Sequence, residues 1–411
     1  MRPANDWWRG CLRVMLPLAP LLAVAIPVHA QSFPGGLGCP TGSGTSSCVD
    51  TDPAGLADTA EPGSVLVFPK FGQGTVILDN GAVEPRTQIE IGATCPAPAL
   101  PSLPDAAQSP LTCPPVDYEV AVHWVCPGVT IGQETSVCQE NDFQIFVSTY
   151  GKVVFNPNGA PSAITANGRI TGYPALNGTL PVPQAPCQRG YAIAYVVDDL
   201  LRPLAANVLI GDAVQRNFTQ GLQSYSALAI QAAPNTNSDL HIDLGNDPDG
   251  PPDSQAASLP FDGQPNHYQM VTGQLWGDVR YSQDDTAPFA DTFLILLTLD
   301  VRSNLPNDST FVNLDFYNQS EIGLSTFTSF DCWEQVQLTD IDPNLKTVFM
   351  TTPNGMVVTG QAFDVRTGGY VTLLGLIQTT EGNPGGPANA VRSYTVRPSN
   401  NSIPLPTYFV Y

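Results

Sequence analysis

Charged side chains are scarce in this 411-residue sequence, where Asp, Glu, Lys and Arg together account for only 13% of the positions. Glycine and proline are abundant by comparison, with 36 and 40 residues. Long amphipathic helices carry charges along their outer face and exclude both residues from their interior. The composition therefore excludes a mainly helical protein and predicts an all-β fold.

Basic residues are the scarcer of the two charged classes. Lys and Arg number 16 against 37 Asp and Glu, which gives a formal net charge of -21. A surface this acidic repels phosphate backbones, so the charge argues against nucleic acid as a partner. An acidic, well-solvated surface is typical of extracellular proteins.

A long apolar run is missing after the first 30 residues, and no later stretch reaches the ~20 apolar residues that a membrane span requires. The N-terminal region carries Arg2, Arg9 and Arg13, continues with a proline-interrupted apolar run, and ends in the small residue Ala30. This order is typical of a secretory signal peptide. We predict cleavage after Ala30 and a mature protein that is secreted, extracellular or at the cell surface, with the periplasm as an alternative.

Motifs of familiar catalytic centres are also missing. The nearest approach to a G-x-S-x-G serine-hydrolase motif, at residues 323–327, lacks the second glycine. The three histidines that remain after cleavage, His123, His241 and His267, lack the paired spacing of a zinc enzyme, and His123 is predicted to lie on a strand surface. CxxC motifs are absent, which disfavours thioredoxin-like redox chemistry.

Adjacent acidic residues provide the remaining catalytic candidates. Asp198-Asp199 and Asp284-Asp285 are candidates for the two carboxylates of a glycosidase, which lie on either side of the scissile bond. Acidic sequences contain many such pairs, and nothing in the sequence places an acid and a base across one cleft. The sequence therefore favours a non-catalytic protein.

Eight cysteines remain after the predicted cleavage, an even number that indicates disulfides in an exported protein. Proximity along the chain suggests bonds between close neighbours and leaves the last two cysteines for each other. The predicted pairs are Cys39–Cys48, Cys95–Cys113, Cys126–Cys138 and Cys187–Cys332. Spacing alone does not determine connectivity, so other pairings stay open.

Apolar and polar residues alternate along short segments bounded by Gly, Pro, Asn and Asp, which is the pattern of antiparallel strands. Residues 310–316, for example, place Val312, Leu314 and Phe316 on one face and Asn313 and Asp315 on the other. The predicted strands are 64–68, 87–91, 118–126, 143–147, 152–155, 191–197 and 226–231 in a first group, and 293–299, 310–316, 335–339, 347–350, 356–359, 370–377, 393–396 and 408–411 in a second.

The two groups predict two tandem antiparallel Ig-like β-sandwich domains. The predicted organisation is a signal peptide at 1–30, a flexible N-terminal arm at 31–62, a first sandwich at 63–231, an Asp-, Gly- and Pro-rich connecting excursion at 232–291, and a second sandwich at 292–411. Short motifs recur in the same order in both groups, such as Cys138-Gln-Glu140 and Cys332-Trp-Glu334. This recurrence indicates an internal duplication and a structural role for the two glutamates.

An acidic turn supplies the strongest local signal for a ligand. Oxygen-bearing side chains cluster around glycine there, and Ca²⁺ binds about six to eight oxygen ligands from a flexible loop. The candidate calcium ligands are Asp243, Asn246, Asp247, Asp249 and Asp253. Prolines make the spacing depart from the EF-hand pattern, so an acidic surface turn without an ion is the alternative.

Aromatic residues outside the predicted core are candidates for a glycan site. Tyr268, Trp276 and Trp333 fall outside the clearest strand patterns, and exposed rings of this kind can stack on sugars. If these rings are exposed, a glycan is the expected ligand.

Five stretches carry a family resemblance: Thr87-Gln-Ile-Glu-Ile91, residues 119–126, residues 142–147, Gly190-Tyr191 and residues 207–213. They resemble a loose set of uncharacterised exported bacterial proteins with Ig-like sandwich domains. The resemblance covers the first predicted sandwich best, and it implies no catalytic residues.

We therefore expect a secreted or cell-surface, non-catalytic binding or structural protein. One alternative is a carbohydrate-binding or carbohydrate-active protein. The other is a subunit of a surface filament or layer, in which the arm at 31–62 mediates self-association by donating a strand to a neighbour's sheet edge.

Overall fold

Antiparallel strands make up most of the described chain. A computed structural model describes residues 57, 61–74, 85–95, 116–127, 130–131, 134–135, 138–159, 169–172, 182–217, 221–233, 240–246, 257–279, 289–299, 310–318, 323–343, 345, 356–364, 369–382, 388–395, 404–405 and 407–410. These residues contain 26 strands and one helix of four residues, which confirms the all-β prediction. The predicted signal peptide and most of the predicted arm lie outside them. No helix in the described ranges has the length and apolar character that a membrane crossing requires.

The N-terminal strands form a six-stranded and a four-stranded sheet, which we name the first sheet pair. The strands are β1 (Val65–Gly72), β2 (Arg86–Ala93), β3 (Asp117–Val125), β4 (Thr130–Ile131), β5 (Glu134–Thr135), β6 (Glu140–Ser148), β7 (Lys152–Phe155), β8 (Arg169–Gly172), β9 (Arg189–Val197), β10 (Leu209–Asn217), β11 (Gly221–Ser226) and β12 (Leu228–Ile230). The larger sheet has the order β12-β1-β9-β3-β6-β8 and the smaller β11-β10-β2-β7, while β4 pairs with β5.

An aromatic core lies between the two sheets of the first pair. On β3, Val120, Val122 and Trp124 are buried on one face, as the period-two alternation predicts. The ring centroid of Trp124 lies 5.6 Å from that of Phe143 in the larger sheet and 5.7 Å from that of Phe155 in the smaller sheet. The indole therefore joins the two sheets, and the prediction that Trp124 packs in the core is confirmed.

The C-terminal half forms a second sheet pair and two small sheets. Its elements are β13 (Gly245–Asn246), β14 (Ala257–Phe261), β15 (Val271–Thr272), β16 (Gln274–Val279), β17 (Phe289–Leu297), β18 (Thr310–Tyr317), β19 (Gly323–Phe330), β20 (Trp333–Gln337), α1 (Leu338–Ile341), β21 (Met356–Asp364), β22 (Tyr370–Val371), β23 (Leu374–Gly382), β24 (Ala388–Thr395), β25 (Pro404–Leu405) and β26 (Thr407–Val410). The outer sheet has the order β16-β21-β18-β19, with β22 also on β21, and the inner sheet β20-β17-β23-β24. β14 lies between β13 and β26, and β15 pairs with β25.

The inner sheet is buried on both faces. Ile295, Leu297 and Leu376 belong to the same buried cluster as β1 and β9 of the first sheet pair. Leu294 and Leu296, which alternate with them on β17, pack instead into the core that the inner sheet shares with the outer sheet. A strand covered on both sides has a continuous apolar sequence, which explains the run from Phe293 to Leu297. Both sheet pairs accordingly lie in one compact unit, residues 53–411.

The segment predicted to connect two sandwiches contributes strands of its own. β16 pairs with β21 along six residues and completes the outer sheet. β14 pairs with β26, so that Ser258 lies opposite Val410 near the C-terminus. Leu275 and Val279 of β16 alternate with Trp276 and Asp278, which is the pattern of a half-buried strand. The segment is therefore part of the folded unit as well as a connection.

Most predicted strands occur within one to a few residues of their expected bounds. β8, β10, β11, β14, β16 and β19 are among the strands that were not predicted, and the expected strand 335–339 ends at Gln337, one residue before α1. The expected strand 347–350 lies outside the described residues. The missed β19 alternates Ser, Thr and Phe, so it lacks the apolar alternation by which strands were recognised.

The disulfides differ from two of the predicted pairs. Cys126 is bonded to Cys187 with a Cα–Cα distance of 5.8 Å, and Cys138 to Cys332 with 6.3 Å, so the pairs Cys126–Cys138 and Cys187–Cys332 are wrong. β3 and β9 are antiparallel neighbours, and Cys126 follows β3 while Cys187 precedes β9, which brings both to the same end of the sheet. Cys95 is disulfide-bonded. Cys39, Cys48 and Cys113 lie outside the described residues.

The Cys138–Cys332 bond also bears on the predicted duplication. The sequence matches place Cys138 and Cys332 at equivalent positions of two repeats. In the structure the two cysteines are bonded to each other, so the bond joins the two predicted repeats instead of recurring within each. The internal duplication itself stays a prediction.

A buried polar cluster lies between the first sheet pair and the inner sheet. Lys70 is 1% exposed, and its Nζ donates a hydrogen bond to Gln378 Oε1 at 2.8 Å. Gln378 Nε2 in turn donates to Gln215 Oε1 at 2.6 Å, and the Tyr225 hydroxyl donates to the Lys70 carbonyl oxygen. A buried charge needs such partners, so these bonds fix how β1, β10, β11 and β23 pack.

Candidate functional site

Exposed aromatic side chains are concentrated on one face of the outer sheet. The exposed large hydrophobic residues in the described ranges include six aromatics, of which Tyr150 alone lies in the first sheet pair. The other five are between 38% and 66% exposed, and they are Trp276, Phe311, Tyr317, Phe327 and Tyr370. We name the outward side of the outer sheet, on which they lie, the aromatic face.

Strand alternation places these rings outside. On β18, Val312, Leu314 and Phe316 are fully buried, whereas Phe311 and Tyr317 are exposed, so the predicted division of this strand into two faces is confirmed. The other strands of the outer sheet follow the same division through the pairing register. A single strand pattern therefore fixes the orientation of the whole face.

The pairing register arranges the face in four rows across the strands. The first row contains Tyr370, Phe363, Phe311 and Ser329; the second Gln274, Gln361, Asn313 and Phe327; the third Trp276, Thr359, Asp315 and Ser325; the fourth Asp278, Val357, Tyr317 and Gly323. Rows on one face are spaced by about 7 Å along the strands and neighbouring strands by about 4.8 Å. Aromatic rings thus surround a polar centre.

Two ring pairs strengthen one end of the aromatic face. The centroids of Phe311 and Phe327 lie 5.7 Å apart in a stacked arrangement, and those of Phe363 and Tyr370 lie 4.8 Å apart. Such pairs hold each other's orientation, because each ring restricts the rotamers of its neighbour. This end presents a continuous apolar strip, while Trp276 and Tyr317 lie further along the face.

The centre of the aromatic face carries amide, hydroxyl and carboxyl groups. Asn313, Gln361 and Thr359 occupy neighbouring positions there, and Asp315 is held by a 2.5 Å hydrogen bond from Ser325 Oγ. None of the five strands that form the face carries Lys or Arg. The described strands of the face therefore offer amide and hydroxyl groups for hydrogen bonding, together with carboxylates, and carry no basic side chain.

Of the three predicted stacking residues, only Trp276 lies on a surface. Tyr268 is fully buried and stacks on Phe261 with centroids 5.2 Å apart, and Trp333 is 4% exposed with its Nε1 donating to the Pro69 carbonyl at 2.7 Å. The expectation that Tyr268 and Trp333 stack on a ligand is wrong, because tertiary packing covers both rings. Sequence reasoning missed the four exposed partners of Trp276, whose signal is their outward position in alternating strands.

The candidate calcium ligands are only partly within the described residues. Asp243 is exposed, and its Oδ2 accepts a hydrogen bond from Asn266 Nδ2 at 3.2 Å. Asn246 lies in β13, while Asp247, Asp249 and Asp253 are outside the described residues. The calcium site therefore stays a prediction.

The histidines each contact a carboxylate. His241 Nε2 lies 3.1 Å from Asp198 Oδ2, and His267 Nδ1 lies 2.7 Å from Asp262 Oδ1. His123 is buried, so its predicted place on a strand surface is wrong. Burial acts to lower the pKa of His123, but hydrogen bonds with two carboxylates outweigh it and raise the pKa to about 9.

The acidic pair Asp198-Asp199 lies in a turn stabilised by ion pairs. Partial burial acts to raise the pKa of Asp198, but hydrogen bonds from Arg202 and His241 hold it well below its usual range. Asp198 Oδ1 also accepts hydrogen bonds from the backbone N–H groups of Leu200 and Arg202. These bonds give Asp198 a structural role, and Asp284-Asp285 lies outside the described residues.

Glu334, one of the two glutamates that recur after a cysteine, lies on β20 and is partly buried. Its Oε2 accepts a hydrogen bond from Thr328 Oγ1 at 3.1 Å. Burial raises the pKa of Glu334, and neither this hydrogen bond nor the charge of Arg189 reverses the effect. Folding therefore shifts the protonation equilibrium of Glu334 toward the neutral carboxyl group.

We expect Glu334→Gln to be more stable than the parent protein at about pH 8 and equally stable at about pH 4. Because the pKa of Glu334 is higher in the folded than in the unfolded state, protonation of its carboxyl group stabilises the folded protein. This stabilisation is complete below the unfolded-state pKa, and it is lost as the pH rises through the folded-state pKa. Glutamine keeps the acceptor for Thr328 and cannot ionise. Thermal unfolding followed by circular dichroism across this interval tests the prediction, and a difference in Tm that does not grow with pH contradicts it.

Comparisons with known proteins give no family for this chain. No protein-family model matches it, and no curated protein matches it. Among solved structures, the crystal structure of Thermotoga maritima 1070 aligns with 31% of this chain and 96% of its own, at 4% identity and a TM-score of 0.21. A similarity at this level carries no argument about fold or function.

Proposed function

We propose that the protein is an exported, non-catalytic binding protein whose aromatic face holds an uncharged polysaccharide. The observation that carries the proposal is the concentration of exposed aromatic rings around a polar centre on one open sheet. A sugar ring has an apolar C–H face and a rim of hydroxyl groups. The aromatic rings suit the former, and the amides and carboxylates between them suit the latter.

Charge narrows the ligand class. The strands of the aromatic face carry Asp278 and Asp315 without a basic residue, and the whole chain has a net charge of -21. Anionic polymers such as sulfated or uronic-acid polysaccharides would meet repulsion without a compensating cation on the described strands of the face. The proposed ligand is therefore neutral.

The composition of the face favours a glycan over a protein partner. The centres of protein–protein interfaces are more apolar than the rest of the surface and are depleted of charged residues. On the aromatic face, Val357 is the sole aliphatic side chain among the outward positions of the described rows, and the centre is polar. An open sheet with an aromatic strip at one end and further rings along the face fits an extended polymer that contacts several rings in succession.

Export and domain architecture complete the proposal. The predicted N-terminal signal peptide and the disulfides Cys126–Cys187 and Cys138–Cys332 support an oxidising compartment outside the cytoplasm. The two sheet pairs, each with antiparallel sheets around a core, are consistent with two Ig-like sandwiches. We place the mature protein at the cell surface or in the medium.

Binding to a panel of neutral polysaccharides tests the function. The mature protein is incubated with soluble and insoluble glucans, mannans, xylans and chitin, and retention is measured by affinity electrophoresis and by depletion from solution. Trp276→Ala and Phe327→Ala are each expected to weaken binding at least tenfold, because exposed aromatic anchors dominate such interfaces. Both side chains point outward, so both variants should fold normally.

Tyr150→Asn provides the matched control. Tyr150 is an exposed aromatic residue outside the aromatic face, and its φ of 60° is one that asparagine tolerates. The control should bind as the parent does. The proposal is overturned if no neutral polysaccharide retains the protein, or if neither Trp276→Ala nor Phe327→Ala changes the retention. Binding to a protein partner alone would also overturn it.

The alternative of a surface filament receives no comparable support from the described residues. The end of the predicted arm contacts its own chain: the Ala57 N–H donates to the Met270 carbonyl at 3.0 Å, and Gln231 Nε2 donates to the carbonyls of Glu61 and Pro62. Residues 31–56 lie outside the described part. Strand donation by the arm stays a prediction, which deletion of residues 31–56 and electron microscopy of the product would test.

A further inference from the structure

Three metal-ligating side chains converge on the larger sheet of the first pair. His123 lies on β3 directly opposite Asp142 on β6, and Glu140 lies two residues earlier on the same strand. Residues two apart on a strand share a face, so all three side chains extend to the same side. His123 Nδ1 is 2.7 Å from Asp142 Oδ1 and 3.8 Å from Glu140 Oε2, and the three ligand atoms lie within 4.8 Å of one another.

The orientation of the imidazole is fixed from its other side. His123 Nε2 forms a 2.9 Å hydrogen bond with the Tyr195 hydroxyl, and the two rings stack with centroids 5.3 Å apart. The edge of Phe409 from β26 packs against the His123 ring at 5.7 Å. Histidines that bind metals are commonly held in this way by a hydrogen bond at the second nitrogen, which directs the first toward the ion.

Solvent reaches the cluster through one of its members. The His123 side chain is 4% exposed and that of Glu140 18%, whereas that of Asp142 is 49% exposed. An ion entering from solvent therefore meets Asp142 first and then the two desolvated ligands. Water can reach the cluster from the side of Asp142.

The three ligand atoms favour a positive charge between them. When Nε2 donates its proton to Tyr195, Nδ1 and the two carboxylates all present lone pairs toward one another. A proton or a metal ion between them removes this repulsion, and a divalent ion also neutralises both carboxylates.

We propose that His123, Glu140 and Asp142 form a binding site for a divalent transition-metal ion, with Zn²⁺ the best match. One imidazole nitrogen and two carboxylate oxygens are a donor set that zinc accepts, with water completing the coordination. Ca²⁺ prefers oxygen ligands throughout, so the imidazole disfavours it. Zinc displaces the proton that His123 shares with Asp142, and the site is separate from both the aromatic face and the predicted calcium turn.

Isothermal titration of the untagged, disulfide-bonded mature protein with ZnCl₂, after treatment with EDTA and dialysis, tests the site. The parent is expected to bind zinc at this site, and Asp142→Asn and Glu140→Gln should each weaken that binding at least tenfold. Titration with Co²⁺ gives a second readout, because coordination by the protein produces visible absorption bands that hydrated Co²⁺ lacks. An excess of CaCl₂ should not displace either ion.

Asp262→Asn is the matched control. His267 Nδ1 lies 2.7 Å from Asp262 Oδ1, the same separation as in the His123–Asp142 pair, and the three-ligand cluster at His123 is the one such group in the described part of the chain. This variant should bind zinc and cobalt as the parent does. The proposal is overturned if the parent binds no zinc, or if Asp142→Asn and Glu140→Gln bind it as tightly as Asp262→Asn. Circular dichroism of all variants establishes that a lost signal does not reflect unfolding.

Discussion

Replacing Trp124 by alanine is expected to lower the free energy of unfolding by about 4 kcal/mol, within the range found when large aromatic side chains are removed from a core. The indole is fully buried, and the Phe71 ring packs edge-on against it at a centroid distance of 5.0 Å. Its Nε1 also donates to the Pro183 carbonyl at 3.1 Å. Removal therefore leaves both a cavity between the sheets and an unsatisfied carbonyl. Urea unfolding followed by far-ultraviolet circular dichroism measures the loss.

Trp276→Ala is the control for this prediction, since it removes the same side chain from the open aromatic face. We expect it to change the free energy of unfolding by less than about 0.5 kcal/mol, as surface substitutions usually do. Trp124→Phe should lose less than Trp124→Ala, because phenylalanine fills part of the space. Equal losses in Trp124→Ala and Trp276→Ala would contradict the placement of one ring inside and the other outside.

Removing the Cys138–Cys332 bond, by replacing both cysteines with alanine, is expected to cost about 4 kcal/mol. The bond spans 194 residues, against 61 for Cys126–Cys187, and a cross-link restricts the unfolded chain more as the closed loop grows. The matched double variant of Cys126 and Cys187 should therefore lose somewhat less. Urea unfolding under non-reducing conditions compares the two variants with the parent.

Peptide mapping of the non-reduced parent by mass spectrometry tests the connectivity itself. Cross-linked peptides should join Cys126 to Cys187 and Cys138 to Cys332. Peptides that instead join Cys126 to Cys138 would contradict the register of β3 and β9. A larger loss of stability without Cys126–Cys187 than without Cys138–Cys332 would contradict the loop-length argument.

The fold class follows from the sequence because it depends on local patterns. The alternation of Val312, Leu314 and Phe316 with polar residues determines both the strand and the side that it buries. The disulfide pairs depend on which strands are neighbours, and neighbours are a property of the tertiary structure. Cys126 and Cys187 are 61 residues apart in the chain and meet because β9 pairs with β3. The spacing of the cysteines along the chain does not indicate which strands pair.

The candidate sites were predicted less well than the fold, for the same reason. Trp333 has the residue type of a sugar-stacking side chain, but the first sheet pair covers it, and Pro69 supplies a partner for its N–H group. Phe327 and Tyr370 form part of the aromatic face only through strand pairings with β18 and β21. His123 and Asp142 are 19 positions apart and become opposite one another through the β3–β6 register. Predicting each of these positions requires knowledge of which strands are neighbours and which elements pack on the sheet.

The Cys138–Cys332 bond also determines how the molecule carries tension. Cys332 immediately precedes β20 at the edge of the inner sheet, and Cys138 lies two residues before β6 in the first sheet pair. A pull on the outer sheet, such as the proposed polysaccharide ligand would exert, is transmitted to the N-terminal half through a covalent bond as well as through packed side chains. Under load, the two halves should therefore resist separation until strands within one of them shear apart.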